Sequence, residues 1–310
     1  MARPRLAVVY IGDAKYHEMT LYSLASLARS HEMPLDLHIL QSNYDADIDF
    51  KFSNFVSSRG HRLLVRRVSF KTPKTGPRAC ASIYAYISDT MFLKGAAIEA
   101  LAPDYDYILY LDSDTLAFDD LRLHALYGFP EVAAACVDQT AAGAYDDAAE
   151  PQTSQRTASL FNSGLLLVNA KEWRRGGVHQ RFIHCLQQHQ VACPYFSACE
   201  PNDQCSLNMA LAGAWRALDP KLNVQKVAMH TRTWAQARLR HYTGPSKFLP
   251  LQLHRCDHRE YALLCSISRE TGLPHPGAFH DGGLSYRLNG IRRWGDIRRA
   301  ERALAHISPT

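Results

Sequence analysis

Two aspartates two residues apart, Asp112 and Asp114, stand directly behind Tyr107-Ile108-Leu109-Tyr110-Leu111, the strongest strand signal in the chain. Asp-x-Asp occurs four times, at 45/47, 47/49, 104/106 and 112/114, and only the last terminates an apolar run. Residues two apart on a strand face the same way, so a strand continued through this pair aims both carboxylates into one space. Carboxylates sharing a space repel unless a cation stands between them, and hard oxygen donors favour manganese or magnesium. A divalent ion held there could in turn hold a diphosphate. The alternative use of strand-end aspartates is to cap a following turn or helix.

Other constellations are weaker. His184, Cys185, His189, Cys193, Cys199 and Cys205 fall within 22 positions, a composition that suits zinc. No two of these cysteines are separated by the two to four residues of a structural knuckle, so zinc is not expected there. His254-Arg255-Cys256-Asp257-His258 is similarly loose and reads as surface. Trp173 and Trp215 read as core or hinge packing rather than as platforms for an acceptor. The chain has no Gly-x-Gly, no Gly-x-x-x-x-Gly-Lys, no His-Glu-x-x-His and no Gly-x-Ser-x-Gly. The common dinucleotide, phosphate-loop and hydrolase readings therefore lose their usual support.

Positioning a carboxylate pair needs a sheet whose strand ends open onto a crevice, and the apolar pattern supplies one. Arg5 to Ile11, Leu35 to Leu40 and Leu63 to Val68 are short apolar runs, and Leu21, Leu24, Ala25 and Ala28 recur at helical spacing between the first two. Strand and helix signals alternating in this way predict a parallel sheet with crossover helices, an α/β fold. Val132 to Val137 and Leu165 to Val168 continue the strands, and Leu207, Ala210 and Leu211 give one apolar face to a helix from Asp203 to Ala212. Gln139 to Thr157 reads as a long polar loop. In open α/β sheets ligands bind at the carboxyl ends of the strands, where the aspartates stand. After about Pro250 basic helical segments replace the alternation, which divides the chain into 1–250 and a basic helical C-terminal extension, 251–310.

Of 310 residues 46% are hydrophobic and 21% charged, which is neither a disordered, a fibrous nor a disulfide-stapled composition. Leu6 to Ile11 is too short for a signal h-region, and no stretch approaches the ~20 apolar residues of a membrane span. A cytoplasmic protein with its 8 cysteines reduced is expected. The net charge is +5, and most of the excess lies between Leu284 and Thr310, where Arg287, Arg292, Arg293, Arg298, Arg299 and Arg302 meet only Asp296 and Glu301. With Ile291, Trp294, Ile297, Leu304 and Ile307 among these arginines, the tail is expected to sit peripherally on the anionic inner face of a membrane. No nucleic-acid partner is expected, and a solvated basic face is the alternative.

Four motifs in order carry a resemblance. Asp112-Ser113-Asp114 is followed by Phe161-Asn162-Ser163-Gly164-Leu165-Leu166-Leu167-Val168-Asn169 with Trp173, by Asn202-Asp203-Gln204 with Asn208, and by His241-Tyr242-Thr243-Gly244-Pro245-Ser246-Lys247. Over roughly residues 5 to 250 the chain resembles the family 8 glycosyltransferases, retaining, manganese-dependent GT-A enzymes that include bacterial lipopolysaccharide galactosyl- and glucosyltransferases and glycogenin. The resemblance implies a Rossmann-like, mixed and mostly parallel sheet flanked by helices. It implies that Asp112, Asp114 and His241 hold Mn2+ (or Mg2+), with Ser113 among the donor-binding residues. Asp13 and Tyr16 match the positions that bind uracil, and Lys15 stands where many members have Asn. Gly244 and Lys247 fall beside the diphosphate; Asn162, Asp203 and Asp138 surround the donor sugar, and Gln204 lies on its reacting face. The family's Ser-x-x-x-Tyr-x-Arg segment, whose Arg reaches the donor sugar and phosphate, aligns with Ser88, Phe92 and Lys94, so the resemblance puts Lys94 among the donor-binding residues, with a departure in which Lys keeps the charge and loses the bidentate fork.

The activity so implied is transfer of a hexose, galactose or glucose, from a UDP-sugar to a saccharide-containing acceptor, free or lipid-linked, with retention. No carboxylate nucleophile offers itself, so the expected course is front-face attack in which the leaving phosphate oxygen takes the acceptor proton. The ion and Lys247 would stabilise the departing UDP. Two rivals stand beside this reading: glycogenin-like self-glucosylation of a tyrosine, and a non-catalytic nucleotide-sugar-binding protein of the same fold. Lys94 in the Arg position favours the last slightly, and the intact metal set opposes it.

Overall fold

A computed structural model of the chain describes residues 4–69, 89–139, 160–189, 193–195 and 202–305. Its strands are β1 (Leu6–Gly12), β2 (Asp36–Ser42), β3 (Arg62–Val68), β4 (Tyr107–Leu111), β5 (Thr115–Ala117), β6 (Ala133–Val137), β7 (Phe161–Asn169), β8 (Trp215–Ala217), β9 (Val224–Gln225) and β10 (Leu239–His241). The helices among the described residues are α1 (His17–Ser30), α2 (Phe50–Ser57), α3 (Lys94–Leu101), α4 (Ala170–Arg175), α5 (Val178–His189), α6 (Asp203–Leu211), α7 (Arg232–Ala235), α8 (His258–Thr271), α9 (Leu284–Arg292) and α10 (Trp294–Ala305). One sheet runs in the order β3-β2-β1-β4-β7-β6-β8, and β5-β10-β9 form a small second one. Neighbours in the large sheet are parallel except where β7 pairs with β4 and β6. The mixed, mostly parallel sheet is thus as expected.

The central strands are apolar at nearly every position because both faces of the sheet are covered. Along β1, Val8 and Tyr10 enter one core while Ala7, Val9 and Ile11 enter the other; along β4, Leu109 and Leu111 oppose Ile108 and Tyr110. Leu24 of α1, Phe52 of α2 and Leu264 of α8 close the first face, and Ile98 of α3, Trp173 of α4, Phe182 of α5 and Leu207 of α6 close the second. Each such side chain contributes about 1.5–3 kcal/mol by leaving water. Trp173 is core, as expected, and its indole N–H donates to Glu99 at 2.9 Å.

The chain order reverses between β1 and β4, and at such a switch point a crevice opens beyond the strand ends. The turn after β1 carries Asp13 and Tyr16, and the turn after β4 carries Asp112 to Asp114. Thr20, in the first turn of α1, donates to the Ser113 hydroxyl at 2.8 Å and ties the two turns together.

Beyond residue 250, α8 is docked on the same core through Leu264 and Ile267. Arg59 reaches Glu270 at 2.6 Å and Arg29 pairs with the same carboxylate. Of the loop expected from Gln139 to Thr157, all but Gln139 lies outside the described residues, as do Ser88, Cys199 and Ile307. No helix among the described residues is long and apolar enough to cross a membrane.

Candidate active site

β4 ends at Leu111 because the chain there leaves the large sheet for the small one. The Asp112 N–H still donates to the Gly164 carbonyl of β7 at 2.9 Å, while the Asp114 carbonyl accepts from the Tyr242 N–H, just past β10, at 2.9 Å. Asp112 to Asp114 therefore form a turn between β4 and β5 rather than a strand end. Their carboxylates converge through that turn and not through strand alternation. β10 pairs antiparallel with β5 and sets His241 opposite Thr115. As a result the ligand atoms of Asp112, Asp114 and His241 lie within 4.8 Å of one another. His241 Nε2 is 3.1 Å from Asp114 and 3.6 Å from Asp112.

A chain of amides fixes which way that imidazole faces. Asp138, at the end of β6, can only accept, so the Gln204 side chain donates its Nε2 to it and turns Oε1 the other way. Oε1 accepts from Asn162 Nδ2 at 2.9 Å and from the Ser163 N–H at 3.3 Å. Asn162 Oδ1 then faces His241 Nδ1 at 3.0 Å, and also accepts from the Gly164 N–H at 3.1 Å and from Asn223 at 2.9 Å. Nδ1 carries the proton, and Nε2 points at the two carboxylates. A neutral imidazole presents a lone pair there, and a lone pair beside two carboxylates calls for a shared cation.

Gly164 makes this approach feasible. A Cβ at 164 would clash with the His241 ring, 2.5 Å from Nδ1 and 2.9 Å from Nε2. Asn223 and Gly164 are parts of the site that the sequence did not flag as such. Gly164 stood in a quoted motif without a role, and nothing in Leu222-Asn223-Val224 marks the middle residue.

Two lysines balance the acids. Lys94 opens α3 and is fully buried. It donates to Asp203 at 2.6 Å and to the Ser163 carbonyl and hydroxyl at 2.9 and 3.0 Å, with Asp112 3.3 Å away. Burial works to lower its pKa, but Asp112 and Asp203 outweigh that and raise it, so the ammonium keeps its proton. Lys247 donates to Asp114 and, at 3.2 Å, to the Tyr242 carbonyl. Burial works to raise the Asp114 carboxyl, yet the Lys247 ammonium holds it well below the ordinary carboxylate range.

The remaining expected positions flank this centre. Asp13 caps a short 3-10 turn by accepting the Tyr16 N–H at 3.0 Å, and the Lys15 ammonium lies 5.2 Å over the Tyr16 ring. Gly244 takes a φ of +79°, which glycine adopts without strain. Beside it the Lys226 ammonium donates to the Ser246 carbonyl at 3.1 Å. Burial, then Arg255 and Lys247, bring Lys226 down to about 8. Phe92 is buried beneath α3. In the His254 to His258 segment both histidines are exposed, but Cys256 is buried against α8, a correction to the surface reading.

The architecture is that of a GT-A glycosyltransferase. An active-site mutant of LgtC has a similar fold, with a TM-score of 0.62 at 19% identity over 90% of this chain and 100% of that one. The galactosyltransferase LgtC in complex with donor and acceptor sugar analogues gives 0.57 at 19% identity, over 90% and 100% of the two chains. Residues 7–248 match the model of glycosyl transferase family 8, and the chain belongs to that family. It is 28% identical over 123 residues to general stress protein A of Bacillus subtilis (strain 168), a match that spans only 39% of this chain and 40% of that protein. It is 22% identical over 254 residues to the lipopolysaccharide 1,2-glucosyltransferase of Escherichia coli (strain K12), covering 78% of this chain and 72% of that one.

Proposed function

We propose that this glycosyltransferase moves a hexose, galactose or glucose, from a UDP-sugar to a saccharide acceptor of the lipopolysaccharide type, with retention and with the help of a divalent cation. The observation that carries the reading is the convergence of Asp112, Asp114 and His241 within 4.8 Å. Two carboxylates with one imidazole form a hard, oxygen-rich donor set, and they fit Mn2+ or Mg2+. Such an ion, when bound, supplies Lewis-acid stabilisation of a diphosphate. What supports the hexose is that one relative is named a glucosyltransferase and a solved structure of the same fold a galactosyltransferase.

In this reading the chain's own residues divide the remaining work. Asp13, Lys15 and Tyr16 take the uridine, with Ser113 beside them. Gly244 lets backbone approach the phosphates, and Lys247 sets a positive charge next to them. Asn162, Asp138, Asp203 and Gln204 surround the donor sugar. Gln204 has its carbonyl held by Asn162 and its amide by Asp138. It is thereby a fixed neutral dipole and not a base, so the acceptor proton goes to the departing phosphate oxygen. Lys94 holds Asp203 in place and has its donors occupied within the protein. Residues 1–250 would carry the catalysis, and 251–310 would be an extension that seats a cytoplasmic enzyme on an anionic membrane.

Asp112→Ala and Asp114→Ala are expected to abolish transfer, by at least about 100-fold, while leaving the far-ultraviolet circular dichroism unchanged. Sugar transfer that survives excess chelator would overturn the reading.

A further inference from the structure

We infer that His189, Cys193 and Cys205 form a second metal site, of the thiolate type that takes Zn2+, clipping the end of α5 to the start of α6. Their ligand atoms lie within 4.8 Å of one another, and the two sulfurs are 3.9 Å apart. A disulfide would need about 2.05 Å. Two zinc–sulfur bonds of about 2.3 Å at a tetrahedral angle put the sulfurs about 3.8 Å apart, which the observed separation meets.

The surroundings suit thiolates. The Tyr195 N–H donates to Cys193 Sγ at 3.4 Å. Cys205 stands in the first turn of α6, capped by Asn202, which accepts the Cys205 N–H at 2.8 Å, and a helix N-terminus favours negative charge. His189 and Cys205 are buried and Cys193 partly so, which limits solvent access to the metal. Two sulfurs and an imidazole are a soft set that selects zinc, whereas the carboxylate site selects hard ions. The described residues give three of the four ligands of a tetrahedron. Spacing concealed the site because its ligands come from a helix end, a loop and the next helix rather than from a knuckle. Cys205 directly follows Asp203 and Gln204, so the clip fixes the turn that bears them; that consequence alone rests on the proposed transferase function.

The test uses the full chain without a histidine tag, dialysed against metal-free buffer. Metal analysis is expected to find one zinc per chain, kept in a D112N/D114N double variant and lost in C193S and in C205S. Metal-free wild-type chain titrated with Co2+ should show a thiolate-to-cobalt charge-transfer absorption in the near ultraviolet, a signal carboxylates cannot give and one that needs no variant to fold. Failure of this site and failure of the Asp112 site are thereby read apart. Absence of the charge-transfer band, zinc that follows the aspartates, or a Cys193–Cys205 disulfide in chain isolated in air would each overturn the inference.

Discussion

At the scale of single residues, the site depends on a missing side chain. Because a Cβ at Gly164 would overlap the His241 ring, Gly164→Ala is expected to push the imidazole off the carboxylates. The overpacking should cost about 1–3 kcal/mol of stability, and divalent-ion affinity should fall about 10–100-fold, the range for lost support of a metal ligand. Isothermal titration with Mn2+ measures it; unchanged affinity would show that His241 is not a ligand. Lys94 makes the opposite point, since it is buried and holds two carboxylates. Lys94→Met leaves Asp203 and Asp112 without their counter-charge and should cost about 3–5 kcal/mol in urea unfolding, with Lys94→Arg unable to restore it in a cavity shaped for an ammonium. The acids and the late histidine were legible in the sequence because their types and order are rare together. The glycine and Asn223 were not, because a close approach between β7 and β10 is a property of tertiary pairing.

Among the elements, the long strands were legible and the short ones were not. β1, β2, β4 and β6 are apolar runs covered on both faces, so composition alone marks them, while β3 stands at the sheet edge, largely exposed, and shows only as Leu63 to Val65 among arginines. β5, β9 and β10 have two or three residues each, too few for any period, yet they carry His241 to the aspartates and turn the expected strand end into a turn. Besides its pairing with β5 and β9, β10 is held by a charge cluster at the start of α8. Arg240 pairs with Asp257 at 2.8 Å and stands 3.6 Å from Glu260. Burial pushes the Glu260 carboxyl up to about 8 from an ordinary 4.5, in spite of Arg240. The folded state thus keeps a proton that the unfolded chain has lost between those values. This contribution to stability is whole below about pH 4.5, declines as pH rises, and is gone above about pH 8. Glu260→Gln is expected to flatten that part of the stability profile and to raise the melting temperature above that of the parent by several degrees at about pH 8.5. Melts of both proteins across the window check it, and parallel profiles would mean that Glu260 is ionised throughout.

On the scale of the whole molecule, the C-terminal helices present a surface that nothing else in the fold requires. Leu284, Leu288 and Ile291 repeat at helical spacing along α9 and are 57%, 45% and 72% exposed, with Trp294 at 58% beyond them. The helices are nonetheless anchored, because Leu304 is buried in the first core and Tyr286 lies 4.2 Å from the His230 ring. Arg287, Arg292, Arg298, Arg299 and Arg302 on the same two helices are exposed, and the Arg298 guanidinium sits 4.0 Å over the Trp294 ring. On the proposed seating at an anionic bilayer, each exposed arginine would contribute about 1 kcal/mol near the surface and the apolar side chains would add burial. Arg292 and Arg293 changed together to Ala should therefore weaken retention on vesicles containing phosphatidylglycerol about 30-fold. Leu288→Glu with Ile291→Glu should abolish retention while leaving transfer to a soluble saccharide intact, since both side chains are exposed and belong to neither core. High salt should erase the arginine contribution and spare the apolar one, because screening at about 1 M confines charge effects to about 3 Å. Equal retention on neutral and anionic vesicles would remove the electrostatic half of this argument, and no retention on either would remove all of it.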